Sequence, residues 1–250
     1  MLRPAVIESR VIPTGIDLSI FHPADRQSVR RQLNIPPDAR VILFAGNGIR
    51  RNPWKDNKTL NAALHLLAER QRATHPLLFI GLGEKGNAPD MQIGNVQLRF
   101  VPHTKKPQDV ASYLQAADVY VHVATADTFP RVVLEALGCG TPVVATNVGG
   151  IPEQIRSLWD SSTSESTNAT GIVVPQRDVP ELARAIETIL NDDSLARAVS
   201  ENAAKDALNR FDLKTQADRY LEWYQQLAGN KQVIPSKSKP RSSEDCIAAP

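Results

Sequence analysis

The chain is poor in cysteine, nearly free of net charge and without long apolar runs. Only Cys139 and Cys246 occur, far apart and with no CxxC. That excludes a disulfide framework and a cysteine-based zinc motif, and a reducing, cytoplasmic setting is the simplest reading. The 29 basic and 27 acidic residues leave a net charge of +2. A general nucleic-acid binder usually carries a strongly basic stripe, so no nucleic-acid partner is expected. No run approaches the roughly 18 apolar residues of a membrane span. The first ten residues, MLRPAVIESR, lack the apolar core of a signal peptide. Among His22, His65, His75, His103 and His122 no pair has a metal-ligand spacing such as HExxH, and no metal is expected. His122 lies inside the strand-like run DVYVHV and reads as a packed or rim-facing imidazole. His103 follows a strand and is a candidate for a cleft.

What is present is an alternation of short apolar runs with helical patterns. The 250 residues suffice for one full core. Runs at 40–46, 77–81, 96–101, 118–123, 141–146 and 171–174 read as strands. Patterns at 55–72, 107–117, 130–137, 179–190, 194–209 and 213–228 read as helices. Continuous apolar strands separated by helices indicate buried parallel strands. The expected fold class is therefore α/β, a doubly wound parallel sheet with helices on both faces. Ligands bind such sheets outside the carboxyl ends of the strands. The segment PTGIDLSIFHP at 13–23 shows turn residues and is expected outside the core. The polar run at 160–170 reads as a surface loop and the Lys-, Ser- and Pro-rich run at 229–250 as a disordered tail.

The run DTFPRVVLEALGCGTPVVATNVGGIP, from Asp127 to Pro152, is the most informative segment. Pro130 fits the first turn of a helix, where its missing N–H costs nothing. The N–H groups near Thr128 to Val132 would then face a ligand, and a helix N-terminus favours phosphate by roughly 0.3–2 kcal/mol. Glu135 can accept two ribose hydroxyls and Asp127 can accept those of a sugar. The alternative has Asp127 as a helix cap and Glu135 as a surface residue. Upstream, GNGIRRNPWK at 46–55 is a glycine-bearing turn with Arg50, Arg51 and Lys55 available to offset phosphate charge. Gly81-Leu82-Gly83 reads as a strand-end glycine turn. Gly149-Gly150 reads either as a turn beneath a ligand or as a plain connector.

The same run resembles the E-x7-E signature of the family 4 retaining glycosyltransferases, whose fold is GT-B. Phe129, Leu134, Glu135, Ala136, Gly140, Pro142, Val143 and Val144 stand where the family pattern asks for them. The similarity extends from about Val11 to Tyr224, and Ile12-Pro13, Gly15, Asp17 and Phe21-His22-Pro23 resemble the linker between the two GT-B domains. The resemblance implies a linker-like segment at 1–23 and a Rossmann-like nucleotide-sugar domain at 24–228, the C-terminal half of a GT-B enzyme. It implies transfer of a hexose from a nucleoside diphosphate sugar with retention, as in polysaccharide biosynthesis, with no cofactor or metal. Lys55, Arg50 and Asp127 would serve catalysis. Gly46, Val101, His103, Thr128, Phe129, Pro130, Arg131, Leu134 and Glu135 would hold the donor, Glu135 through its ribose. Two positions depart from the family: Asp127 replaces a glutamate, and Asn47 occupies the place of an arginine. A partner chain supplying an acceptor domain, and peripheral membrane association through the acceptor, also follow as expectations. So does exposure of part of the apolar stripe Ala217, Tyr220, Leu221, Tyr224 and Leu227 on the last helix. The alternatives are a donor-binding half-enzyme that is inactive alone and a nucleotide-sugar epimerase of related fold.

Overall fold

The strands are apolar at successive positions because both of their faces are covered. The computed structural model describes residues 9–49, 52–70, 75–84, 89–160 and 168–229. In chain order these form α1 (Arg26–Gln32), β1 (Arg40–Ala45), α2 (Asn57–Arg70), β2 (Leu77–Glu84), β3 (Met91–Ile93) and β4 (Val96–Pro102). There follow α3 (Pro107–Ala116), β5 (Val119–His122), α4 (Arg131–Gly138), β6 (Val143–Thr146) and α5 (Ile151–Gln154). The last elements among the described residues are β7 (Gly171–Val174), α6 (Val179–Asn191), α7 (Asp193–Arg210) and α8 (Leu213–Gly229). In β1, Val41, Leu43 and Ala45 enter one core layer and Ile42 and Phe44 the other. This period of two sends alternate side chains to opposite faces. The first layer is closed by Leu114 of α3, Val133 and Leu137 of α4 and Ile151 of α5. The second is closed by Leu60, Leu64 and Leu67 of α2 and by Leu182, Ile186 and Ile189 of α6.

The sheet has seven strands in the order β3-β4-β2-β1-β5-β6-β7. All neighbours are parallel except the short edge strand β3, which runs antiparallel to β4. The architecture is the expected doubly wound α/β class, and its strand order reverses between β1 and β5. That reversal opens a crevice at the carboxyl ends of these two strands.

The opposite ends of β1 and β5 are held by a buried ion pair. Arg30 donates to Asp118 Oδ2 at 2.7 Å and to the carbonyls of Ala116 and Ala39 at 2.9 and 3.0 Å. The same carboxylate oxygen accepts the Val41 N–H at 2.7 Å, and Arg26 reaches Oδ1 at 3.0 Å. Aspartates set the helix starts: Asp25, Asp178 and Asp192 cap α1, α6 and α7 through their side chains.

Several expectations need correction. The 13–23 segment is not outside the core, because Ile16 and Phe21 are buried within it. Its ends tie to the last helices: Ile16 N–H donates to Phe211 O at 2.8 Å and Leu213 N–H to Ile16 O at 3.0 Å. Gly81-Leu82-Gly83 lies inside β2 rather than after it. The helix expected from Lys55 begins at Asn57, and Pro130 caps α4 instead of opening it. The short elements α1, β3 and α5 were not anticipated. The core of the polar run at 160–170 and the tail beyond Gly229 lie outside the described residues. On α8, Leu221, Tyr224 and Leu227 are 58%, 59% and 42% exposed, so much of the expected stripe faces outward.

Candidate functional site

The reversal of strand order brings two loops together, one after β1 and one after β5. They are stitched by backbone pairing. Lys55 bridges Ala124, Asp56 N–H donates to Val123 O at 3.1 Å, and Thr125 N–H donates to Trp54 O at 2.9 Å. From β6, Thr146 Oγ1 accepts the Ala124 N–H at 3.0 Å. The stitching fixes Lys55 opposite Asp127 although 72 residues separate them.

A cleft of about 260 Å³ opens between these loops. Of the residues expected at the site, Gly46, Lys55, His103, Asp127, Pro130 and Glu135 line it. Lys55 Nζ lies 3.0 Å from Asp127 Oδ2, with the lysine side chain only 11% exposed. The buried His122 places Nε2 3.0 Å from that ammonium and 3.1 Å from the same carboxylate oxygen. Its Nδ1 lies 2.8 Å from the hydroxyl of buried Tyr120. Burial raises the Asp127 carboxyl, but hydrogen bonds from His122 and Lys55 and the lysine charge outweigh it and bring it to about 2. Burial holds the His122 imidazole below its ordinary value despite the neighbouring carboxylate.

Glu135 stands apart from this cluster. It is half-buried on α4, and among the described residues its carboxylate makes no hydrogen bond. Burial pushes it up, opposed by Arg131. A half-buried carboxylate without a donor is costly unless a ligand supplies one. The start of α4 is equally open. Pro130 offers no side-chain cap and the first turn carries no acid. The Arg131 and Val132 N–H groups therefore find no acceptor among the described residues, and such a terminus favours an anion.

Gly149 and Gly150 connect β6 to α5 and also brace the 127–128 backbone. A Cβ on Gly149, whose φ is +51°, would stand 1.9 Å from Asp127 O, and one on Gly150 2.4 Å from Thr128 O. Gly150 N–H donates to Thr128 O at 2.7 Å.

Other expected residues lie elsewhere. Leu134 is fully buried in the core, and Val101 packs against the same core. Phe129 turns its ring to Phe211, edge to face at 6.3 Å. Thr128 and Arg131 are exposed beside the opening without lining it. Arg50 and Arg51 lie outside the described residues. Sequence reasoning read His122 as a packed or rim-facing imidazole and passed over Tyr120. The available signal was an imidazole at the tip of an apolar strand, five residues before the first acid. Among the described residues no group of three or more His, Cys, Asp or Glu side chains could hold a metal ion, and no helix is long and apolar enough to cross a membrane.

The family model described as glycosyl transferases group 1 matches residues 25–206. A D-inositol 3-phosphate glycosyltransferase of Thermobispora bispora is 32% identical over 227 residues, covering 86% of this chain and 49% of the relative. The chain spans about half the length of the curated relatives it matches. Among solved structures, sucrose-phosphate synthase from Thermosynechococcus elongatus superposes with a TM-score of 0.68 at 29% identity, over 88% of this chain and 53% of that one. Anabaena HepE in complex with UDP-glucose superposes with a TM-score of 0.66 at 24% identity, over 87% of this chain and 57% of that one.

Proposed function

The chain belongs to the group 1 glycosyl transferases, and from that premise we propose that it is the donor-binding half of a retaining GT-B enzyme of family 4. It would pass a hexose from a nucleoside diphosphate sugar to an acceptor hydroxyl. The observation that carries this reading is convergence: Lys55, Asp127, Glu135 and the uncapped start of α4 meet at one cleft, at the strand-order reversal. When the bond from the sugar to the diphosphate breaks, negative charge grows on the leaving group. Lys55 and the α4 N-terminus stabilise it electrostatically, with Arg50 as a further cation from the β1 loop. Glu135 accepts hydroxyls of the ribose, and these supply the donors it lacks. Asp127 accepts a hydroxyl of the transferred sugar. His103, with the backbone from Val101 to Thr104, faces the base. No cofactor takes part, and the leaving phosphate assists the incoming hydroxyl in place of a side-chain base.

The test is calorimetry of the purified chain with UDP-glucose and GDP-mannose and with UDP and GDP. HepE, whose solved complex holds UDP-glucose, motivates the uridine pair. One matched donor and diphosphate should bind; absence of binding by all four contradicts the reading. A second reading, favoured by the exposed Leu221 and Tyr224 on α8, has the chain bind donor without turnover until an acceptor-binding partner covers that face. Donor binding without sugar release by the isolated chain, and release once the partner is added, supports it.

A further inference from the structure

We propose that His122 is a positioning residue of this site: its Nε2–H holds Asp127 Oδ2, leaving Oδ1 for a sugar hydroxyl and releasing Lys55 for the diphosphate. The inference rests on the reading of the cleft as a donor site. Asp127 uses one oxygen for both of its contacts, to Lys55 at 3.0 Å and to His122 at 3.1 Å. Among the described residues no donor reaches Oδ1.

The position of the ring proton decides which neighbour Nε2 serves. An ammonium only donates and a carboxylate only accepts, so Nε2 cannot satisfy both at once. Tyr120 settles the matter. Its hydroxyl is fully buried and 2.8 Å from His122 Nδ1, and among the described residues its O–H has no other acceptor. Leaving a buried hydroxyl proton unpaired costs about 1–3 kcal/mol. Tyr120 therefore donates to Nδ1, and the proton of the neutral ring sits on Nε2 facing Asp127. This neutral donor stays with the carboxylate whatever Lys55 does. A diphosphate entering the cleft draws the ammonium towards itself. Without His122, Asp127 would then be a carboxylate stripped of donors beside an anion. The same contact anchors the shorter acid that stands where the family has glutamate.

Two measurements test this. Long-range 1H–15N spectra of the free chain should show the His122 proton on Nε2; a proton on Nδ1 overturns the proposal. Calorimetry should then show His122→Leu weakening UDP-glucose by roughly tenfold and UDP by a smaller factor, because freeing Lys55 serves both ligands and holding Oδ1 serves only the sugar. His122→Gln, which restores an N–H donor at similar reach, should recover most of the loss. Equal losses for UDP and UDP-glucose, or no rescue by Gln in a variant that melts like the parent, would overturn it. If the parent chain binds neither ligand, the donor reading fails separately, and the spectra still decide the contact between His122 and Asp127.

Discussion

Lys55→Met is the sharpest perturbation of the site. Methionine keeps the unbranched stem that runs beside Gly46 and removes only the ammonium. Two consequences follow. First, the diphosphate loses a charge-assisted hydrogen bond worth about 1.5–3 kcal/mol. That converts to a loss of roughly 10- to 150-fold in UDP affinity. Second, Asp127 loses one of its two donors but keeps His122 at 3.1 Å. The carboxylate therefore keeps one donor, and because the lysine side chain is only 11% exposed the variant should lose about 1–3 kcal/mol of stability while remaining folded. Calorimetry should show the loss with UDP, and ligand-observed NMR should show uridine binding unchanged, because uridine carries no phosphate. Raising the salt should weaken UDP binding less in the variant than in the parent. UDP affinity within about twofold of the parent, or an equal loss for uridine, would refute the assignment of Lys55 to the diphosphate.

Glu135→Gln should separate stability from binding. The folded pKa of Glu135 is raised by burial above 4.5, so the charged form opposes folding and stability is lost as pH rises through the folded value. The variant should melt higher than the parent at pH 7, the two should converge below pH 4.5, and the variant should bind UDP more weakly; a lower melting temperature at pH 7 would contradict the burial argument. Asp118→Ala should leave Arg30 charged and buried without its carboxylate, costing about 3–5 kcal/mol in urea unfolding with no part in donor chemistry. A cost under about 1 kcal/mol would show that water or other carbonyls replace the pair.

Much of this molecule is legible in its sequence, for identifiable reasons. Strands covered on both faces leave continuous apolar runs, so every strand of the parallel core could be placed, with ends within a few residues. The run from Asp127 onward combines a proline at a helix start, two glycines at its end and a following strand, and the observed α4–β6 unit follows that punctuation. Periodicity does not record loop-to-loop packing. The pairing of the 54–56 segment with 123–125 depends on which strands are neighbours, and that emerges only with the sheet order. For the same reason His122 read only as a packed or rim-facing imidazole, with no partner named. Its burial is real, but its partners come from loops far away in the chain. The 13–23 segment has no helical or strand period, and its two core side chains, Ile16 and Phe21, are isolated apolar residues among turn formers. The four residues of α5 are too few to leave a periodic signal.

The most direct measurement is a crystal structure of the chain soaked with UDP-glucose. The account predicts the diphosphate within hydrogen-bond reach of Lys55 Nζ and the α4 N–H groups. It also predicts the ribose hydroxyls on Glu135 and the hexose beside Asp127. A nucleotide bound away from the β1–β5 crevice, or one lying there with Lys55 and Glu135 both turned from it, would contradict the account.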